Sequence, residues 1–491
     1  MLVLLIDSQI MSIFRRIYHS ATMMSWASYF VRFGSALFVL PLILKLFTPI
    51  EQSFWFFINT IFGFAMLADS GFGATLIRAV SYFFAGAEYL PRNKKEYDES
   101  EHITDNKPNK EKLVNLLTTV NRIYIFLGLF AVVMISTGGL AAAWNILELS
   151  DHQLDLWISF LIIIPYCFFM ILAVKWSSFM RGLGFVASEA RFGAFQGMIR
   201  IITFVILLVL QLGPAFLVGY MLLESIIKFT YIRWFVLKWF REQEIAIENR
   251  TYFDKEIFQS LWSATWRTGL LFWGSYGIQS GTSILASQIS DVQLMANFLL
   301  TMRVFTLVIN ISRAPFYTHI PKIYKLAAQK DTMKLRKASS EYMFLGLSIM
   351  TVALIFLIIF GNPTLELLGI ETRFVPALIL VIIAVTEILD LHASFHATLY
   401  TSTNHVPFVI PATVSGGLII LIGFGILPLY GLIGIVLSKF IIQFLFNNWY
   451  APILSLRLMK WQFIKYLYQF PGFGLKFVYH IVEENLLRRN R

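Results

Sequence analysis

With 491 residues, 57% of them hydrophobic and only 14% charged, the chain carries more apolar surface than one soluble globular domain can bury. Mean hydropathy is +0.68, which points to a polytopic membrane protein. The formal net charge of +11 gathers in the gaps between apolar stretches, where basic loops lie beside anionic lipid, so it argues against nucleic acid as a partner.

In chain order, a cytoplasmic segment is expected over residues 1–23. Its Met1-Leu-Val-Leu-Leu-Ile run is brief, is interrupted by Asp7 and lacks the basic leader of a signal peptide. Arg15-Arg16 follow that run rather than precede it, which makes Met11 an alternative start. Twelve apolar stretches follow, at about 24–47, 53–77, 117–143, 156–176, 194–212, 214–236, 260–286, 292–314, 342–361, 375–400, 407–428 and 430–450. Each is close to the ~20 residues a helix needs to cross a bilayer. The expectation is an all-α fold with two six-helix lobes, 24–237 and 260–451, joined by a cytoplasmic linker at 238–259. Residues 452–491 form a basic, aromatic tail, expected to lie on the cytoplasmic membrane surface with a break at Pro471-Gly472.

Lys and Arg fall mostly into alternate gaps: 78–122, 175–200, 228–267, 313–337 and 452–491. The intervening gaps hold little beyond Lys45 and Arg373, and that at 145–155 is acidic, with Glu148, Asp151 and Asp155. The positive-inside rule then puts both termini in the cytoplasm. The two halves share a loose pattern: a polar-studded helix, an outside turn with glutamine (Gln52, Gln293), and an aromatic-rich helix ending in arginine (Arg78) or carrying one (Arg303).

Charges within spans are the sharpest chemical signal, because a mid-membrane charge costs roughly 2.5–3.5 kcal/mol on insertion scales and faces a polar interior or a partner. Arg32, Arg78 and Arg303 are the candidate cationic cavity; guanidinium groups fork onto phosphate oxygens. The plainer reading is that each pairs with a carboxylate or snorkels to the interface, Arg78 above all. Asp69, Glu387, Asp390 and Lys439 are candidates for ion coupling or charge pairing, with Asp69 set against Arg32. Glu224 and Lys228 are spaced to pair on one helix. His392 and His396 share a helical face, but without a third ligand in sequence they read as interfacial histidines; no metal, cofactor or catalytic residue is expected. The lone Cys167 lies inside a span and reads as packing.

This pattern resembles the polysaccharide flippases (O-antigen and exopolysaccharide, Wzx-like) of the multidrug/oligosaccharidyl-lipid/polysaccharide exporter superfamily. The resemblance covers about residues 12–455. It rests on twelve spans in two lobes, on Arg32 leading to Pro41, on Asp69-Ser-Gly-Phe-Gly…Arg78, and on the break near Pro315 and Pro321. It implies a transporter rather than an enzyme, moving undecaprenyl-pyrophosphate-linked oligosaccharide across the bacterial inner membrane by alternating access. A polysaccharide polymerase and a chain-length regulator would be its pathway partners. The alternatives are an ion-coupled multidrug antiporter of the same superfamily and a membrane-embedded polymerase or ligase. Short outside loops without an Asp-x-Asp motif weigh against the enzyme.

Overall fold

A computed structural model describes residue 34 and residues 38–90, 107–150, 154–245, 253–329, 331–403 and 407–489. The described chain is all α-helical. It divides into two compact units, Met1–Phe272 and Trp273–Arg491, taken separately below.

The first unit holds α1 (Pro49–Met66), α2 (Phe72–Phe84), α3 (Lys110–Met134), α4 (Leu140–Glu148), α5 (Leu154–Gly182), α6 (Val186–Val209) and α7 (Pro214–Glu242). It also takes the first part of α8 (Lys255–Ala286). Sequence punctuation sets the ends. Thr48 and Glu51 form a capping box at α1, and Asn109 Oδ1 accepts from Lys112 N at 3.1 Å to cap α3. Asp155, from the acidic outside gap, accepts from Ala215 N at 3.2 Å and so caps α7 from α5. A five-residue π-helical turn, Ile135–Gly139, joins α3 to α4 without interrupting the span.

The stretch expected as one span at 53–77 is instead two helices. Between α1 and α2 the chain unwinds over residues 67–71, with Ser70 (φ 46°) and Gly71 (φ 83°) left-handed. A Cβ at position 71 would be strained at that φ and 3.0 Å from the Phe272 ring, so glycine is required there. The break packs on α8 through neighbours within the unit, where Thr265 and Thr75 hydroxyls lie 3.0 Å apart.

The second unit holds the rest of α8, then α9 (Val292–Thr318), α10 (Ile320–Ala328), α11 (Thr332–Leu367), α12 (Ala377–Tyr400), α13 (Val409–Ile442), α14 (Asn448–Leu458) and α15 (Phe463–Arg489). The break expected near Pro315 and Pro321 falls at His319, with Pro321 in the first turn of α10. α13 reverses at Gly431 (φ 55°, ψ −141°). Gly423 packs against Ser438, fifteen residues on and about 22 Å away along a straight helix, so α13 doubles back as the two expected antiparallel spans. The tail differs from expectation in one respect: α15 runs unbroken through Pro471. Its inner face packs on α11, where Gly474 meets Phe344 and Phe477 meets Tyr342, and that packing holds the helix across the proline.

Among the described residues, eight helical stretches are long and apolar enough to cross a membrane: Lys110–Glu148, Leu154–Gly182, Val186–Val209, Pro214–Glu242, Val292–Thr318, Thr332–Leu367, Ala377–Tyr400 and Val409–Leu458. The last contains the Gly431 reversal. The broken α1–α2 pair and the more polar α8 fall outside that criterion while occupying two of the expected spans. The molecule is an all-α, multi-pass membrane protein.

Candidate functional site

Asp69 stands at the break between α1 and α2, 6% exposed. Its Oδ1 accepts from the Tyr124 hydroxyl of α3 at 2.8 Å, and its Oδ2 accepts from Gly73 N at 3.1 Å. The backbone donor exists because the chain unwinds just before α2 begins, which leaves first-turn N–H groups without helical acceptors. Among the described residues Asp69 makes no ion pair; Arg32, its expected partner, lies outside them. Arg78 is exposed at the middle of α2 rather than at a span end.

Elsewhere in this unit, the Glu224 carboxylate of α7 pairs with Arg200 of α6 at 3.5 Å, so its closest ion pair crosses helices; Lys228, the expected partner, adds its field. Lys175, which the sequence places at the mouth of a basic loop, is buried inside α5 at 2% exposure. Its Nζ donates to Asn121 Oδ1 of α3 at 2.6 Å and sits 4.4 Å from the centre of the Trp176 ring.

In the second unit, three of the expected residues do come together. Glu387 and Asp390 lie one turn apart on α12, and Lys439 reaches them from the returning arm of α13. Lys439 Nζ is 2.5 Å from Glu387 Oε1 and 3.7 Å from Asp390 Oδ2. Glu387 lies ten residues into α12, about 15 Å from its start, which is mid-membrane depth. A small cavity opens on the cluster, lined by Thr282, Phe298, Met302, Thr386, Glu387 and Lys439, among others. Arg313 of α9 also acts on Asp390, and its Nε is buried without an acceptor. Arg303, half-buried on α9, follows Met302 of the cavity wall.

His392 and His396 are not interfacial side chains. His396 is fully buried, its Nε2 3.2 Å from His392 Nε2 and 3.1 Å from the Tyr466 hydroxyl; His392 Nε2 is 2.7 Å from that same hydroxyl. His396 Nδ1 meets Ser455 Oγ, which in turn donates to Pro452 O. This chain of hydrogen bonds clasps the root of α15 to α12 and α14.

Tyr124, Asn121, Lys175, Arg313 and Tyr466 were not singled out by the sequence. For Lys175 a signal existed: the small polar residues Ser177 and Ser178 after it continue the helix rather than start a loop. For Tyr124 and Tyr466 there was none, since an aromatic residue near a span end looks the same whether it anchors or accepts a partner.

No family model and no curated protein matches the chain. Solved structures do. An inward-facing multidrug resistance MATE-family transporter of the MOP superfamily aligns with TM-score 0.64 and 14% identity, over 90% of this chain and 96% of its own. The lipid II flippase MurJ in an inward closed conformation aligns with TM-score 0.59 and 14% identity, over 95% and 93%. A MOP superfamily transporter from Pyrococcus furiosus, whose binding pocket has reversed polarity, aligns with TM-score 0.55 and 15% identity, over 90% and 96%. At these identities the likeness is one of fold, and these neighbours are transporters and a flippase rather than enzymes. The protein has the fold of the MOP-superfamily transporters.

Proposed function

We propose that the protein flips an undecaprenyl-pyrophosphate-linked oligosaccharide across the bacterial inner membrane by alternating access, for O-antigen, capsule or exopolysaccharide synthesis. The observation that carries this reading is an arginine, Arg303, half-buried within a membrane-spanning helix of a transporter fold shared with a lipid-linked-precursor flippase. A pyrophosphate gives such guanidinium groups a bidentate partner, and the lipid tail stays in the bilayer. Arg32 and Arg78 join Arg303 as the proposed cationic cavity. The antiporter reading is not favoured, since cationic drugs would meet the same arginines.

Ion coupling is assigned to the buried carboxylates. Lys439 serves two of them, Glu387 and Asp390, so taking up a proton or a monovalent cation there relieves the repulsion between them. Asp69 is the corresponding carboxylate of the first unit. A polysaccharide polymerase and a chain-length regulator are the proposed partners.

The test is lipid extraction from a strain lacking this gene, with the upstream glycosyltransferases intact and no redundant flippase. Polyprenyl-pyrophosphate oligosaccharide should accumulate on the cytoplasmic leaflet. Wild type should relieve it, and membrane-inserted Arg32→Ala or Arg303→Ala should not. No accumulation overturns the assignment and brings drug export forward; outer-leaflet accumulation points to a polymerase or ligase.

A further inference from the structure

Lys175 is out of place as a structural residue. It is 2% exposed within α5, yet its hydrogen bond goes to a neutral amide, Asn121 Oδ1, and among the described residues it makes no ion pair. The neighbouring charge that acts on it is that of Arg233 on α7, a like charge. The buried indole Nε1–H of Trp176, beside it, also lacks an acceptor. Donors and positive charge thus gather where α3, α5 and α7 meet, without an anion among the described residues to balance them. A buried cation left in that state costs several kcal/mol, which evolution removes readily by an apolar replacement unless the charge has a use.

The depth of the group identifies the use. Lys175 lies seven residues before the end of α5, Arg233 nine before the end of α7, and Asn121 eleven after the start of α3. At 1.5 Å per residue these are about 10, 14 and 16 Å from helix ends that the basic gaps place in the cytoplasm. Against the expected spans 156–176, 214–236 and 117–143 they lie one, three and four residues inside the expected cytoplasmic ends, within about 6 Å of where lipid phosphates meet hydrocarbon. Asn121 and Arg233 are exposed, so the buried ammonium is reached by displacing the amide.

We infer that Lys175, Asn121 and Arg233 form a binding site for a phosphate ester of the cytoplasmic leaflet. Lys175 supplies the charge, Arg233 the fork and Asn121 an amide that exchanges its lysine contact for the ligand. The phosphate belongs either to an anionic membrane lipid or to a polyprenyl phosphate carrier. The site stands independently of the flippase reading, because a bound headgroup needs no transport.

The test is native mass spectrometry of the purified full-length protein with phosphatidylglycerol, phosphatidylcholine, a short-chain polyprenyl phosphate and inorganic phosphate, each titrated alone. Wild type should hold one phosphatidylglycerol or one polyprenyl phosphate and no phosphatidylcholine; whichever binds names the source, and binding of inorganic phosphate by itself shows that the phosphate suffices. Lys175→Met should weaken that ligand about tenfold or more, the loss expected for one charge-assisted contact, and Lys175→Arg should retain it. Arg233→Gln, at an exposed position that does not endanger folding, should weaken it less. Equal binding by wild type, Lys175→Met and Arg233→Gln, or binding of none of the probes by wild type, overturns the proposal. Either result leaves the leaflet assay of transport free to stand or fall on its own.

Discussion

Two lysines are buried to nearly the same degree, Lys439 at 5% and Lys175 at 2% exposure, and they are solvated by the protein in opposite ways. Lys439 lies against two carboxylates, Glu387 and Asp390. Lys175 has an amide oxygen and a ring face, with a like charge nearby. The first is a closed electrostatic unit whose members need each other; the second has no anion against it among the described residues. Burial alone therefore does not separate a structural charge from a ligand-binding one. The partner does.

The largest expected effect tests the closed unit. Lys439→Met leaves two carboxylates together in the interior and should destabilise the second unit by about 3–5 kcal/mol, read as a drop in the thermal midpoint of the purified protein. An unchanged midpoint would break the comparison at its root. Glu387→Gln should cost less, about 1–3 kcal/mol, because Asp390 is already 3.7 Å from the ammonium and takes over as partner. If coupling runs through this pair, that variant also flattens the response of transport to a proton or sodium gradient.

Next comes the carboxylate of the first unit. Tyr124→Phe removes the hydroxyl donor to Asp69 and should cost about 1–3 kcal/mol, the range for a buried charged acceptor losing one partner. A double-mutant cycle with Asp69→Asn should return most of that value as coupling, and additivity would show that the two do not act together. For Lys175→Met the sign turns: without ligand, stability should be unchanged or raised by up to about 1–4 kcal/mol, as when a charge with poor compensation is replaced by a fitting apolar side chain. A large loss would mean that the lysine is structural after all.

The smallest effect lies at the aqueous surface. Asp331 caps α11, accepting from Lys334 N at 3.1 Å with the Lys334 ammonium 2.9 Å away. The cap hydrogen bond, first, and that ammonium hold its carboxyl below the ordinary 3.8. A depressed carboxyl contributes stability above its unfolded value and loses it as pH falls through the lower folded value. Protection of the first-turn amides of α11, taken against their intrinsic exchange rates, should thus fall as pH drops below about 4, and Asp331→Ala should show the lower protection at neutral pH. No pH response in that turn would remove the cap from the account.

The sequence by itself determined that this is a multi-pass helical membrane protein, because backbone polar groups in lipid must be satisfied within helices and spans of fixed length follow from bilayer thickness. It also supplied the Glu387, Asp390 and Lys439 set, since charges in apolar runs are expensive enough to stand out one residue at a time. The tertiary structure alone decided who meets whom. It gave Asp69 a tyrosine and a backbone N–H, gave Glu224 an arginine across the helix gap, and left Lys175 inside α5 with an amide. It turned two histidines into a clasp on α15 and carried that helix through Pro471. The reason is range: hydropathy and helix spacing are local properties of the chain, whereas ion pairing and burial depend on side chains that lie tens of residues apart in sequence and a few ångströms apart in space.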